Sequence, residues 1–312
     1  MKICVAGTGA MGATHVKALK KIDDVEVVSV ASRTREGGET FAAEHGIPFH
    51  STNLEACIDR PGVDAVILTT PSDQHAEQTI LALGKGKHVQ VEIPMSLNLP
   101  DAEKMLAAAK NAGKVCMVTH TRRFSNPHRE IRRRIQEGTF HLHHMVVETY
   151  FFRRTNLNMH GQPRSWVDNL LWHHACHSVD LAYWVTGNPD WEVWGQQGPI
   201  HRELGIPMDL SVAMRQKKGP LFTMAMSFNN KGPFGGFYRY IGEEETYKVF
   251  RDTMTDSEGK DVQFADNTIA FDRQDVEFVG AIREGRQPES SAESCVPTMA
   301  LLDRIEKAMH RA

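Results

Sequence analysis

The chain has 312 residues, 41% of them hydrophobic and 24% charged, with a formal net charge of −3 at pH 7. That length exceeds what one hydrophobic core usually serves, so two domains are expected. The near-balanced charge gives no reason to expect nucleic acid or a membrane surface as a partner, and no apolar run approaches the length that spans a bilayer.

Lys2-Ile3-Cys4-Val5-Ala6 reads as a strand, which leaves no room for a signal peptide and implies a cytoplasmic protein. It runs into Gly7-Thr8-Gly9-Ala10-Met11-Gly12, a G-x-G-x-x-G string, and a helix from Ala10 to Lys20 follows. The strand before and the helix behind make this string a phosphate loop. Gly7 permits the tight turn, Gly9 lets the backbone approach a pyrophosphate, and Gly12 lets helix and strand pack closely. The helix N-terminus offers free N–H groups to the phosphates. The β-branched run Val25 to Ala31 is the second strand. Beyond it, in Ala31-Ser32-Arg33-Thr34-Arg35, no carboxylate stands where an NAD site usually places an acid for the ribose hydroxyls. Ser32, Arg33 and Thr34 instead suit a 2′-phosphate, and Arg33 can stack on adenine. NADP is the expected cofactor, with NAD the weaker alternative.

Further strands are expected at Ala65–Thr69, closed by Thr70-Pro71, at His88–Val91, and at Val115–Thr119 after an Ala-rich helix from Asp101 to Asn111. Strands alternating with helices at this spacing imply a doubly wound parallel sheet. After residue 121 the pattern changes. Met145–Phe152 is a long strand-like run, and Leu210, Val212, Met214 and then Phe222, Met224, Met226, Phe228 alternate with period two, as in an antiparallel sheet with one apolar face. Late helices follow, one carrying Val276, Val279 and Ile282 on its apolar face and another running from Thr298 to the end. The expected architecture is an α/β Rossmann domain over residues 1–121 and an α+β domain with a large open, mainly antiparallel sheet over 122–312. Five cysteines without a C-x-x-C pair suggest buried thiols in a reducing compartment.

Several strings resemble the glucose–fructose oxidoreductase/inositol dehydrogenase (Gfo/Idh/MocA) family. They are the strand–glycine-loop start, Thr70-Pro71 with His75 downstream, Gly86-Lys87-His88-Val89-Gln90-Val91-Glu92-Ile93-Pro94, and His177-Ser178-Val179-Asp180, which is similar to that family's H-x-x-D element. Longer strings include His120-Thr121-Arg122-Arg123-Phe124, Thr149-Tyr150-Phe151-Phe152-Arg153-Arg154, Pro163-Arg164-Ser165-Trp166 and Leu171-Trp172-His173-His174-Ala175. They resemble a branch of the family that oxidises the cyclic hemiacetal of a dicarboxylated semialdehyde with NADP. The resemblance implies a Rossmann domain followed by an α+β domain whose open sheet forms the oligomer interface, hence a homodimer through the C-terminal sheet, and it implies no metal. It also implies cofactor contacts from Thr8, Ala10, Met11, Thr70, Pro71, His75, Glu92, Ile93, Arg122 and Trp166. Two departures stand out. The family commonly has Glu-Lys-Pro where this chain has Glu92-Ile93-Pro94, and often an acid where this chain has His173.

Hydride transfer from a hydroxyl-bearing carbon needs a base for the hydroxyl proton. A neutral imidazole suits that role. His173 and His177 would share one face of a helix, and Asp180 could orient His177, the one that carries the family resemblance. A dicarboxylate needs fixed cations, which Arg122, Arg123, Arg153, Arg154 and Arg164 could supply, with Trp172 and His173 beside them. Neighbouring residues on a strand face opposite ways, so one of each adjacent arginine pair is expected to reach the substrate. Zinc at His173, His174 and Cys176 is a competing reading without an H-E-x-x-H pattern behind it. A sugar or inositol dehydrogenase and a non-catalytic NADP-binding sensor are the other readings; the missing lysine speaks against the first, and the histidine pair with its arginines against the second.

Overall fold

The computed structural model describes residues 1–157, 161–164, 166 and 169–310. They fold as two units, Met1–Thr121 with Ala270–Val296, and Arg122–Ile269 with Pro297–Ala312.

The first unit is built on strands β1 (Lys2–Ala6), β2 (Glu26–Ala31), β3 (His50–Ser51), β4 (Val63–Leu68), β5 (His88–Val91) and β6 (Cys116–Val118). All pair in parallel, in the order β3-β2-β1-β4-β5-β6. Ile3 to Ala6 and Ala65 to Leu68 are wholly buried, which is why these strands read as continuous apolar runs: helices cover both faces of a parallel sheet. Those helices are α1 (Ala10–Leu19), α2 (Arg35–His45), α3 (Leu54–Ile58), α4 (His75–Gly84) and α5 (Leu99–Ala112). α5 starts earlier than its alanine run suggests, because Asn98 caps it by accepting the Asp101 N–H, a strong N-terminal signal.

The second unit opens with α6 (Asn126–Gln136), and its sheet comprises β7 (Leu142–Tyr150), β8 (Glu192–Gln197), β9 (Asp209–Arg215), β10 (Leu221–Ser227), β11 (Gly235–Gly242), β12 (Thr246–Phe250) and β13 (Thr253–Thr255). The order is β13-β12-β11-β7-β10-β9-β8. Every pair is antiparallel except β7 with β10. Met145 and Val147, Leu210, Val212 and Met214, Phe222, Met224 and Met226, Tyr238 and Tyr240 are buried. Alternate residues such as Trp194 and Leu221 remain exposed at 50% and 44%, so one face is packed and the other open. α6 and α7 (Cys176–Thr186) belong to this unit.

The expected division put all of 122–312 in one domain. The segment Ala270–Val296 instead returns to the first unit. Helix α8 (Ala270–Glu284) packs on α1, and the Val118 N–H at the sheet's edge strand donates to the Ser290 carbonyl at 2.8 Å. An edge strand gains by such cover. The inward face of α8 also differs from the expected one. Val276 is 52% exposed, while Gln274, Asp275, Phe278 and Val279 are buried; a polar pair takes the place that an apolar periodicity assigned to valine. The last helix, α9, spans Ala292–Met309. The five cysteines are buried and unbridged. Among the described residues no helix is long and apolar enough to cross a membrane.

Candidate functional site

In the first unit the strand order reverses between β1 and β4, the switch point at which open α/β sheets take their ligands. Gly7 follows β1 there with φ +108°, and a Cβ on it would lie 2.5 Å from the Thr69 carbonyl oxygen. A Cβ on Gly12 would lie 2.2 Å from the Gly7 carbonyl oxygen. Both glycines are therefore demanded by the fold of the loop itself. Gly9 is different: a Cβ on it would meet nothing within 4 Å. Its bareness leaves an open approach to the first turn of α1, which no side chain caps and no acid enters. A pyrophosphate fits such a cradle. Thr69, unremarked in the sequence, pins the loop by donating its hydroxyl to the Ala6 carbonyl at 2.9 Å.

Thr8 in the loop and Ser32 at the end of β2 bring their hydroxyls within 3.2 Å of each other. Arg33 is exposed beside them. Thr34 caps α2, its side chain accepting the Gly37 N–H at 3.2 Å. Thr70 donates its hydroxyl to Gln78 at 2.6 Å, leaving Pro71 half-buried at the start of the next turn. His75 departs from expectation. It is 1% exposed, with Nδ1 2.8 Å from the Pro94 carbonyl and Nε2 2.8 Å from the Thr70 carbonyl. The ring lies between two loops and donates from one nitrogen to one of these carbonyls, so His75 shapes the rim from within the fold. Ile93 and Glu92 are half-buried just beyond β5. Glu92 accepts from Nε2 of His15 on α1, a contact with no signal in the sequence beyond a histidine on a helix's inward face.

In the second unit the histidine pair does not sit on one α-helical face. Leu170–Ala175 forms a π-helical turn, and α7 begins only at Cys176. Such turns recur at functional sites. Asn169 builds this one: its side chain accepts the Leu171 and Trp172 N–H groups, and its own N–H donates to Nδ1 of His173 at 3.0 Å. A neutral His173 with that bond carries its proton on Nε2 and is a donor. Its ring stacks on Trp166 at 5.0 Å, and the Arg164 guanidinium lies 5.0 Å from the centre of that same indole. His177, in the first turn of α7, is half-buried. His174 packs against Phe151 and Phe228. Trp172 is 4% exposed, and its indole N–H donates to Glu306 on α9 at 2.9 Å; contrary to the expectation of a substrate contact, it fills the core.

The arginine pairs resolve clearly. Arg123 is 1% exposed and grips the Asp180 carboxylate with Nε at 2.8 Å and Nη2 at 2.5 Å. It is a core ion pair, so it is not at hand for a ligand, and the acid expected to orient His177 is held by Arg123. Arg122 is half-buried, lies 5.1 Å over the Tyr238 ring, and has a buried Nε without a hydrogen-bond partner among the described residues. No carboxylate among those residues pairs with its guanidinium. The nearby His128 offers no acid, and burial together with the Arg122 charge pushes its imidazole down to about 3. Thr149, 3% exposed, has a hydroxyl without a partner among the described residues and pairs in register with Gly236, beside which the Arg122 guanidinium lies. Arg153 stands 4.7 Å over Phe228, whereas exposed Arg154 donates to the Arg153 carbonyl at 2.7 Å and rests on Phe152.

Residues 1–120 match the family described as "Oxidoreductase family, NAD-binding Rossmann fold", and residues 126–268 match "Bacterial oxidoreductases, C-terminal". The chain is 43% identical to 4-carboxy-2-hydroxymuconate-6-semialdehyde dehydrogenase of Sphingobium sp. strain SYK-6, covering 100% of this chain and 99% of that one. It is 32% identical to a scyllo-inositol 2-dehydrogenase (NAD(+)) of Bacillus subtilis over 60% of this chain and 54% of the relative. Among solved structures, an aldose-aldose oxidoreductase from Caulobacter crescentus superposes with a TM-score of 0.87 at 20% identity, covering 100% of this chain and 98% of the other.

Proposed function

Because the chain belongs to the Gfo/Idh/MocA family of NAD(P)-binding oxidoreductases, we propose that it oxidises the cyclic hemiacetal of 4-carboxy-2-hydroxymuconate-6-semialdehyde to 2-pyrone-4,6-dicarboxylate, with NADP as oxidant, in the protocatechuate 4,5-cleavage pathway. The observation that carries the substrate class is Arg122, a half-buried guanidinium without an acid partner among the described residues. Such a group wants an anion, and its planar fork suits a carboxylate. Arg164, stacked on Trp166, is the second cation. His177 takes the hemiacetal hydroxyl proton, and His173 donates from Nε2 to the substrate. The bound dinucleotide supplies the hydride acceptor. A hemiacetal hydroxyl is more acidic than a simple alcohol, which makes the missing Glu-Lys-Pro lysine intelligible. NADP over NAD is supported by the Thr8–Ser32 hydroxyl pair, the exposed Arg33 and the lack of an acid at the end of β2. The open sheet face, with Trp194 and Leu221 exposed, is the proposed homodimer surface.

Reduced-cofactor formation is measured with the ring-cleavage product of protocatechuate beside a panel of inositols and aldoses, each with NADP and with NAD. Turnover confined to the dicarboxylate, and faster with NADP, is the expected result. Turnover on polyols without any on the dicarboxylate would sink the substrate assignment, and a strong NAD preference the cofactor assignment. In the same assay Arg122→Met is expected to raise KM for the dicarboxylate roughly tenfold to a hundredfold, the worth of a charge-assisted hydrogen bond, with KM for NADP unchanged. A rise in the cofactor KM instead would move Arg122 to the dinucleotide.

A further inference from the structure

Polar groups buried in a core cost free energy unless they are fully partnered. Four stand together in the first unit: His15 on α1, Gln90 on β5, Asp275 on α8, and Glu92 just past β5. The first three are 1%, 0% and 0% exposed, and the Glu92 side chain is 13% exposed. His15 Nε2 meets Glu92 Oε1 at 2.8 Å, and Nδ1 meets the two Asp275 oxygens at 2.9 and 3.0 Å. Gln90 donates to Asp275 at 2.7 Å. A carboxylate at each ring nitrogen needs a proton on each, so the ring is an imidazolium. Burial opposes that charge, but Asp275 and then Glu92 outweigh it and hold the imidazole up at about 10. Two carboxylates and one imidazolium leave one net negative charge, and Glu92 is the member that reaches the surface.

The sheet order gives that charge a use. A fold of this order binds one mononucleotide over each half of the sheet, on either side of the switch between β1 and β4. The glycine loop after β1 and the Ser32–Arg33 end of β2 belong to one half. β4, β5 and β6 form the other half, that of the nicotinamide, and Glu92 is the first residue beyond β5. The oxidised nicotinamide ring is a cation and the reduced ring is neutral. A preorganised negative charge at that strand end favours the cation, and because its donors are already ordered it need not reorganise to do so. We propose that Glu92, fixed by the positioning residues His15 and Asp275, makes this protein bind the oxidised dinucleotide more tightly than the reduced one. Hydride transfer then removes the charge that holds the cofactor, which favours its exchange after turnover. The proposal rests on the dinucleotide-binding reading of the first unit and is independent of the substrate.

Calorimetric Kd values for NADP+, NADPH, NAD+ and NADH on the full chain test it. In the preferred pair the wild-type protein is expected to bind the oxidised form more tightly. Glu92→Gln, which keeps an acceptor for His15, should weaken the oxidised form about tenfold and the reduced form less than about twofold. Asp275→Asn should shift the same ratio in the same direction by a smaller factor, and serves where Glu92→Gln fails to fold, as judged by thermal melting without ligand. A wild-type protein that favours the reduced form overturns the proposal whatever the variants do. A ratio unmoved in a folded variant, or equal weakening of both forms, overturns it too. Binding of none of the four dinucleotides would instead overturn the dinucleotide reading on which it rests.

Discussion

Replacing His177 by Asn is expected to lower kcat on the dicarboxylated hemiacetal by roughly two to four orders of magnitude, the usual worth of a general base. The melting temperature and the dinucleotide Kd should stay where they are, because His177 is only half-buried and lies outside the glycine loop. The expectation is sharper for the pair than for either residue. Nδ1 of His173 accepts the Asn169 N–H, which fixes the tautomer and leaves Nε2 a donor. A donor can be replaced by the amide of a glutamine with modest loss, whereas a base cannot. His173→Gln is therefore expected to retain more turnover than His177→Asn, within about tenfold of the wild type, since one hydrogen bond to an uncharged group is worth about a factor of ten at most. Steady-state kinetics on both variants, with melting curves alongside, decide the matter. If His173→Gln is the dead enzyme and His177→Asn the active one, the roles are reversed.

The strands and the glycine loop were legible because their causes are local. A parallel strand is an apolar run, and Gly7 and Gly12 answer to atoms only a few residues or one neighbouring strand away. The parallel pairing of β7 with β10 inside an otherwise antiparallel sheet was not legible, since period-two alternation says which face is apolar and nothing of strand direction. The site in the second unit was half legible. Sequence supplied the candidate arginines and histidines. It could not tell Arg122 from Arg123, because which of two adjacent arginines turns inward depends on a carboxylate, Asp180, far along the chain. Nor could it foresee that Asn169 winds His173 into a π turn, since the helical period it presumes is α. His15 and Asp275 are the extreme case. They are 260 positions apart, and each alone reads as an ordinary polar residue on an amphipathic helix. The outward turn of Val276 is the visible trace of Asp275 turning in.

Asp180→Asn and Arg123→Met should each destabilise the protein by about 3–5 kcal/mol, because each breaks a buried ion pair by removing one of its members. Both side chains are 1% exposed, so water cannot rescue the survivor. The Thr298 hydroxyl, which donates to Asp180 at 2.8 Å, neutralises nothing. For a unit of this size the loss corresponds to a fall in Tm of very roughly 6–20 °C. The pair itself is a different quantity from the cost of breaking it. Moving two charges out of water consumes most of what their attraction returns, so an apolar replacement of both is often neutral. The double variant Arg123→Met/Asp180→Leu is accordingly expected to regain at least half of the lost stability. Denaturant melts of the wild type, both single variants and the double variant measure the cycle. A double variant no more stable than either single would mean that the pair stabilises in its own right, and one as unstable as the sum of the singles would mean that the two side chains are not coupled at all. Recovery would instead leave it a device for holding the first turn of α7, and with it His177, in one place. In that case the recovered double variant should still show a depressed kcat, since α7 would be stable without being fixed.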